Sequence, residues 1–287
     1  MHKYLRLLRV EQWYKNTIIF IPLIFTGQLF KIPEFFLILK GFILLSLTSS
    51  SCYIINDIVD REKDLHHPEK KTRPVASGEI SVKRAFKISM LLLSLTLIFG
   101  FILSKTFFIL QVILTLSLLA YTFYLKTKAL IDIHVIAFNY LVRAIAGAVL
   151  LHVPVSPWLI TSIFFLALYL AVGKRRAELM LLKDKAVENR ATYKVYTPHL
   201  LDILSTVIAT TLLFSYILYT FMAHKGKVPY LMLTIPFASF MLFRYLYFIS
   251  SGHIVARKTH YIFKDRQMMI ALAIWFIIVV VTFSIFP

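Results

Sequence analysis

Residues 56–79 read NDIVDREKDLHHPEKKTRPVASGE and hold six of the fourteen acids in the chain: Asp57, Asp60, Glu62, Asp64, Glu69 and Glu79. Asp57, Asp60 and Asp64 stand at i, i+3 and i+7, a spacing that puts all three on one face of a helix. Carboxylates stacked on one stripe repel each other unless a cation sits between them. Hard oxygen donors with room for water and phosphate oxygens suit Mg²⁺. Asn56 adds an amide on the adjoining turn. His67, Lys71 and Arg73 follow closely and supply donors to phosphates that a metal would bridge. The competing reading is a solvated face with salt bridges to Arg61, Lys63 and Lys70. Pro68, Pro74 and Gly78 mark a folded loop beyond the helix.

A second charged segment, GKRRAEL at 173–179, places Lys174, Arg175 and Arg176 before a single acid, Glu178. Three consecutive helical positions cannot share one face, so at least one of these cations points away from any common site. Arg190, Tyr193 and Tyr196 lie downstream, and both tyrosines suit either phosphate binding or an interfacial anchor. Arg143 falls within an apolar run, where a charge marks a candidate functional site. Its alternative is pairing with Asp132 or with backbone carbonyls. Asn139 lies one turn earlier on the same face. Asp202 reads as a structural helix-end residue. The run SLTSSSC at 46–52 reads as a close helix-packing surface.

The elements that carry these residues are apolar. Hydrophobic residues make up 59% of the 287 and charged residues 16%, with Phe occurring 25 times. The mean hydropathy is +0.76. A soluble core of this size cannot bury so much apolar surface, which excludes a soluble single-domain enzyme, a disordered chain and a disulfide scaffold. The single Cys52 forms no internal disulfide. The basic N-terminal start lacks a small-residue cleavage site after its apolar stretch, so no cleavable signal peptide is expected. Apolar runs at 17–31, 35–55, 86–104, 107–125, 129–151, 157–173, 200–223, 229–249 and 267–286 predict an all-α polytopic membrane protein with nine spans. Lys and Arg number 32 against 14 Asp and Glu. With the N-terminus inside, 25 of these cations fall on the inner side and five on the outer. The positive-inside rule then puts the N-terminus in the cytoplasm and the C-terminus outside, in the cytoplasmic membrane, and the basic excess calls for no nucleic acid.

The pattern N-D-x-x-D-x-x-x-D, Asn56 to Asp64, placed after the second of nine spans, resembles the UbiA superfamily of intramembrane prenyltransferases. The resemblance covers essentially the whole chain in layout, as one integral-membrane domain over 1–287. It implies nine helices around a central cavity open to the cytoplasmic side and laterally to lipid. It also implies that Asp57, Asp60 and Asp64 hold Mg²⁺, with Mn²⁺ as a substitute, on a diphosphate.

The superfamily's prenyltransferases carry a second acidic motif after span six, where this chain has GKRRAEL. The longer pattern from Asn56 to Gly78, together with G-K-R-x-A-E-L, Q-W-x-K-N (Gln12 to Asn16) and Arg190 to Tyr196, is similar to one branch of the superfamily. Members of that branch move a phosphoribosyl group from phosphoribosyl diphosphate to decaprenyl phosphate. The resemblance implies a polyprenyl phosphate acceptor. It makes Lys15, Lys71, Arg73, Lys174, Arg175, Arg176 and Arg190 candidates for neutralising phosphates, since each monoester bears about −1.5 to −2 charge at neutral pH, and Asn16 a candidate substrate-binding residue. The competing enzyme reading is prenyl transfer from a prenyl diphosphate to an aromatic acceptor. The reading from another class is a transporter, whose polar site would lie in broken helices near the bilayer midplane.

Overall fold

In lipid a chain must satisfy its backbone polar groups internally, and long apolar runs do so as helices. The structure is a computed structural model that describes residues 2–154, 156–182, 186–222 and 228–285. Among these the regular elements are all helical. Eight helical stretches are long and apolar enough to cross a membrane. They are built on α1 (Ile32–Val59), α2 (Val82–Leu103), α3 (Lys105–Phe123), α4 (Ile131–Leu151), α5 (Pro157–Leu182), α6 (Pro198–Met222), α7 (Ile235–Ser250) and α8 (Arg266–Ile285).

The run expected as the first span differs from the other eight. It is a 3₁₀ helix, Val10–Phe20, followed by one short α-helical stretch, Ile21–Phe25. Pro22 lies in the first turn of the second piece. Its ring and missing N–H forbid a continuous α-helix through this point. At about 2.0 Å per residue for the 3₁₀ part and about 1.5 Å for the rest, residues 10–25 still extend about 30 Å. The segment starts beside Asp57 through Arg9 and ends beside the far end of α8, where Phe25 meets the Phe283 ring at 5.6 Å between centroids.

Packing is close because small and hydroxyl residues line the contacts. Ser46, Thr48, Ser49, Ser50, Ser51 and Cys52 of α1 are all buried. Thr48 meets Thr96 of α2 at 3.1 Å, and Ser51 meets Ser89 at 3.0 Å. The Trp13 indole N–H donates to Ser50 at 3.0 Å, and the Asn16 amide to Ser46 at 3.1 Å. One apolar core joins the 10–25 segment to α1, α3 and α4. A second joins α5, α6 and α7. Because the long helices alternate in direction, the segments 60–81, 124–130, 186–197 and 251–265 all fall at one end of the bundle.

Candidate active site

That end of the bundle holds a cavity of about 690 Å³. Among its lining residues Lys and Arg outnumber Asp and Glu by twelve to four. Its walls come from the 10–25 segment, α1, α3, α4, α5 and the loops 60–81 and 251–265.

Helix α1 runs past the apolar stretch to Val59, so Asn56 and Asp57 lie in its last turn. Asp60 marks the break before a short helix, Arg61–Leu65, which carries Asp64. Asp57 and Asp64 are both buried and share one partner: Arg73 Nη1 lies 3.1 Å from Asp57 Oδ1 and 2.5 Å from Asp64 Oδ2. Arg9 also pairs with Asp57, its Nε donating at 3.2 Å and its Nη2 forming a second bond. Arg9 adopts a left-handed backbone, φ 49°, that L-residues seldom take. Asp60 instead meets Lys126, just after α3, at 2.6 Å. The stripe of three carboxylates is therefore two plus one. Among the described residues no three His, Cys, Asp or Glu side chains are grouped as a metal site would group them.

Burial pushes the Asp64 carboxyl above its ordinary range, against the pull of the Arg73 and Lys70 charges. His67 is buried as well. Burial, then the Lys70 charge, push its imidazole down to about 4. Its Nδ1 accepts the Glu69 backbone N–H at 3.1 Å, which requires the neutral ring. Burial also lowers Lys70, a cavity residue.

The second charged segment ends α5. Arg175 is buried and donates to Asp132 Oδ2 at 2.9 Å, Tyr121 Oη at 3.1 Å and Glu178 Oε2 at 3.4 Å. Tyr196 donates to Asp132 at 2.6 Å and Tyr193 to Glu178 at 2.8 Å. Arg190 reaches Tyr121 at 3.2 Å. Glu178 thus orients a cation and a phenol. Lys174, Arg175, Glu178 and Arg190 line the cavity, whereas Arg176 turns out of it onto Asp202 of α6 at 2.8 Å. Lys71 is exposed and does not line the cavity either.

Arg143 donates to Asn16 Oδ1 at 2.5 Å, the Asn139 carbonyl at 2.6 Å and Ser49 Oγ at 3.3 Å. Asp132, the other partner considered from sequence, belongs to Arg175. Asn16 stands behind the wall, holding Arg143, while Lys15, Asn56, Asn139 and Arg143 line the cavity. Sequence reasoning missed Arg9, Lys70, Tyr121 and Lys126 as site residues. It also missed the 251–265 loop, where Arg257 pairs with Glu69 at 2.9 Å. The basic N-terminus and the charge of that loop were visible, but only the fold brings them to one cavity.

Residues 17–263 match the UbiA prenyltransferase family. The chain is 30% identical over 285 residues to the decaprenyl-phosphate phosphoribosyltransferase of Mycolicibacterium smegmatis, covering 94% of this chain and 89% of that protein. The Mycobacterium tuberculosis protein of the same name is 32% identical over 218 residues, covering 75% and 72%. The fold matches a UbiA homologue from Archaeoglobus fulgidus bound to GPP and Mg²⁺ at a TM-score of 0.72 and 19% identity, over 98% of this chain and 99% of the other.

Proposed function

The chain belongs to the UbiA prenyltransferase family, and from that premise we propose that it transfers a 5-phosphoribosyl group from phosphoribosyl diphosphate to a polyprenyl phosphate, releasing diphosphate. It is an integral membrane protein. The observation that carries the reading is the cavity's charge: its second charged segment supplies Lys174 and Arg175, not paired aspartates, around one oriented Glu178. Phosphoribosyl diphosphate and a lipid phosphate together bring a diphosphate and two monoesters, which demand more cations than a prenyl diphosphate does. The proteins similar over most of this chain carry the matching name.

Asp57 and Asp64 would hold Mg²⁺, with Asp60 joining them on release from Lys126. All are hard oxygen donors, and Asp57 and Asp64 already converge on one cationic group, the Arg73 guanidinium. When bound, the metal supplies charge neutralisation to the diphosphate. Arg73 and Lys70 border the same space and bind phosphate oxygens, stabilising the leaving group as the ribose C1–O bond breaks. The acceptor phosphate is already anionic and attacks C1 without a strong general base. Attack opposite the leaving group inverts C1. The helix-lined wall excludes water that would otherwise hydrolyse the donor. Asn16, Tyr193 and Tyr196 act through Arg143, Glu178 and Asp132 as positioning residues. The excess of Lys and Arg in the loops at this end supports a cytoplasmic placement.

The test is incubation of the purified protein and Mg²⁺ with a polyprenyl phosphate and phosphoribosyl diphosphate, and separately with a prenyl diphosphate and aromatic acceptors. The expected products are a lipid-linked phosphoribose and free diphosphate in the first mixture alone. Turnover of the prenyl diphosphate with none of phosphoribosyl diphosphate would overturn the proposal.

A further inference from the structure

Among the described residues four cations that line the cavity, Lys15, Lys70, Arg143 and Lys174, form no ion pair with a carboxylate, and of these Lys15 and Arg143 stand close enough for their charges to interact. Arg143 lies eleven residues along α4 from Asp132, about 16 Å deeper into the bundle by helical rise. It is 2% exposed. Its three hydrogen-bond acceptors, from Asn16, Asn139 and Ser49, are all neutral. A guanidinium has five N–H donors, so two remain to be satisfied. Lys15 neighbours Asn16 in the chain and lines the same cavity. Its ammonium lies 5.8 Å from the Tyr53 ring centroid. Among the described residues neither Lys15 nor Arg143 forms an ion pair with a carboxylate, whereas Arg9, Arg73 and Arg175 each do. Asn139 lines this cavity and is 4% exposed, and its buried side-chain oxygen has no donor among the described residues.

A buried cation without a counter-anion is costly, and neutral acceptors offset only part of that cost. We propose that Lys15, Arg143 and Asn139 form a phosphate-monoester subsite, separate from the diphosphate end at Asp57, Asp60 and Asp64. Two cations match the near-dianionic charge of a monoester. The Asn139 oxygen takes a hydroxyl, either on a protonated phosphate oxygen or on an adjacent carbon. The assignment rests on the ribosyl-transfer reading, in which donor and acceptor each carry one monoester. The shared chemistry is the monoester itself.

The experiment is calorimetric titration of the purified full chain with ribose 5-phosphate, with farnesyl monophosphate and with inorganic diphosphate, at constant Mg²⁺. Lys15→Gln and Arg143→Gln should each weaken one monoester by roughly 10- to 100-fold, the loss of a charge-assisted hydrogen bond. Diphosphate affinity should stay unchanged, which also reports an intact fold. Selective loss of ribose 5-phosphate assigns the subsite to the donor, and selective loss of farnesyl monophosphate assigns it to the acceptor. Unchanged binding of both monoesters in both variants would overturn the proposal, as would parallel loss of monoester and diphosphate in Lys15→Gln, whose side chain forms no ion pair. If wild-type protein shows the monoester pattern but forms no lipid-linked ribose, the reaction fails and the subsite stands.

Discussion

One helical position separates Arg175 from Arg176, and their surroundings set opposite expectations. Arg175→Gln strips the buried Asp132 of its nearest cation and leaves Arg190 at 3.9 Å. Breaking a buried pair of this kind costs about 3–5 kcal/mol, so thermal unfolding should drop sharply and transfer should fail. The Arg176 pair uses a half-exposed Asp202 and is worth about 0–1 kcal/mol. Arg176→Gln should unfold and turn over like wild type, and a strong loss there would mean that its side chain enters the site. At the acidic loop, Asp57→Asn and Asp60→Asn should each lower turnover by at least about 100-fold, the scale of a main transition-state stabiliser, and chelator should abolish wild-type activity. Full turnover in chelator would remove the metal from Asp57, Asp60 and Asp64. His67 sets a pH dependence of stability. Its folded value of about 4 lies below the ordinary 6.5, so the unfolded chain takes the proton first as pH falls. The stability it contributes is complete above about pH 6.5 and is lost as pH falls from there through about 4. Thermal unfolding across that window should be flatter in His67→Gln than in wild type, and an NMR titration of the ring with a midpoint near 6.5 would contradict the assignment.

At the scale of elements, hydropathy located the eight long helices because twenty apolar residues leave few alternatives to a spanning helix. It could not foresee the 3₁₀ pitch of residues 10–20, since composition carries no information on pitch. The i, i+3, i+7 spacing of the aspartates was legible in part: Asp57 and Asp64 do share Arg73. The diversion of Asp60 to Lys126 was not legible, because its partner is 66 residues away and is delivered by α3. The same holds for Arg9, whose partner Asp57 is 48 residues distant. The composite segment sits unusually close to α4, and Gly147 permits it. A Cβ there would lie 2.1 Å from the Ile19 backbone oxygen. Gly147→Ala should therefore push residues 10–25 away from α4 and destabilise the fold by about 1–3 kcal/mol, the usual cost of overpacking. Because Asn16 rides on this segment and holds Arg143, transfer activity should fall with it. An unchanged unfolding temperature would show that the contact is looser than the structure gives it.

Over the whole molecule, charge and helix direction make one testable statement about sidedness. Arg6 bonds Glu79 at 2.6 Å and Arg9 bonds Asp57, so the N-terminal residues lie at the same end as the loop 60–81. From there the 10–25 segment travels to the end where Phe25 meets Phe283. Helices α1 to α8 then alternate, so α8 starts at the charged end with Arg266 and finishes at the opposite one. Three Lys or Arg lie within 1–9, eight within 56–87 and seven within 174–198, against two in residues 26–40. Cations close to span ends resist translocation, and the loops that carry them here also build the cavity wall. The proposed donor, a water-soluble phosphorylated sugar made inside a cell, would have to reach that wall from the cytoplasm. A reporter inserted at 183–190 should accordingly read as cytoplasmic, and one fused after Pro287 as external. Both reporters on one side would mean that residues 10–25 or one of the eight helices does not cross. Reversed signals would put the cavity on the side from which the cytosolic donor is absent, and would argue against ribosyl transfer even if every residue of the site were in place.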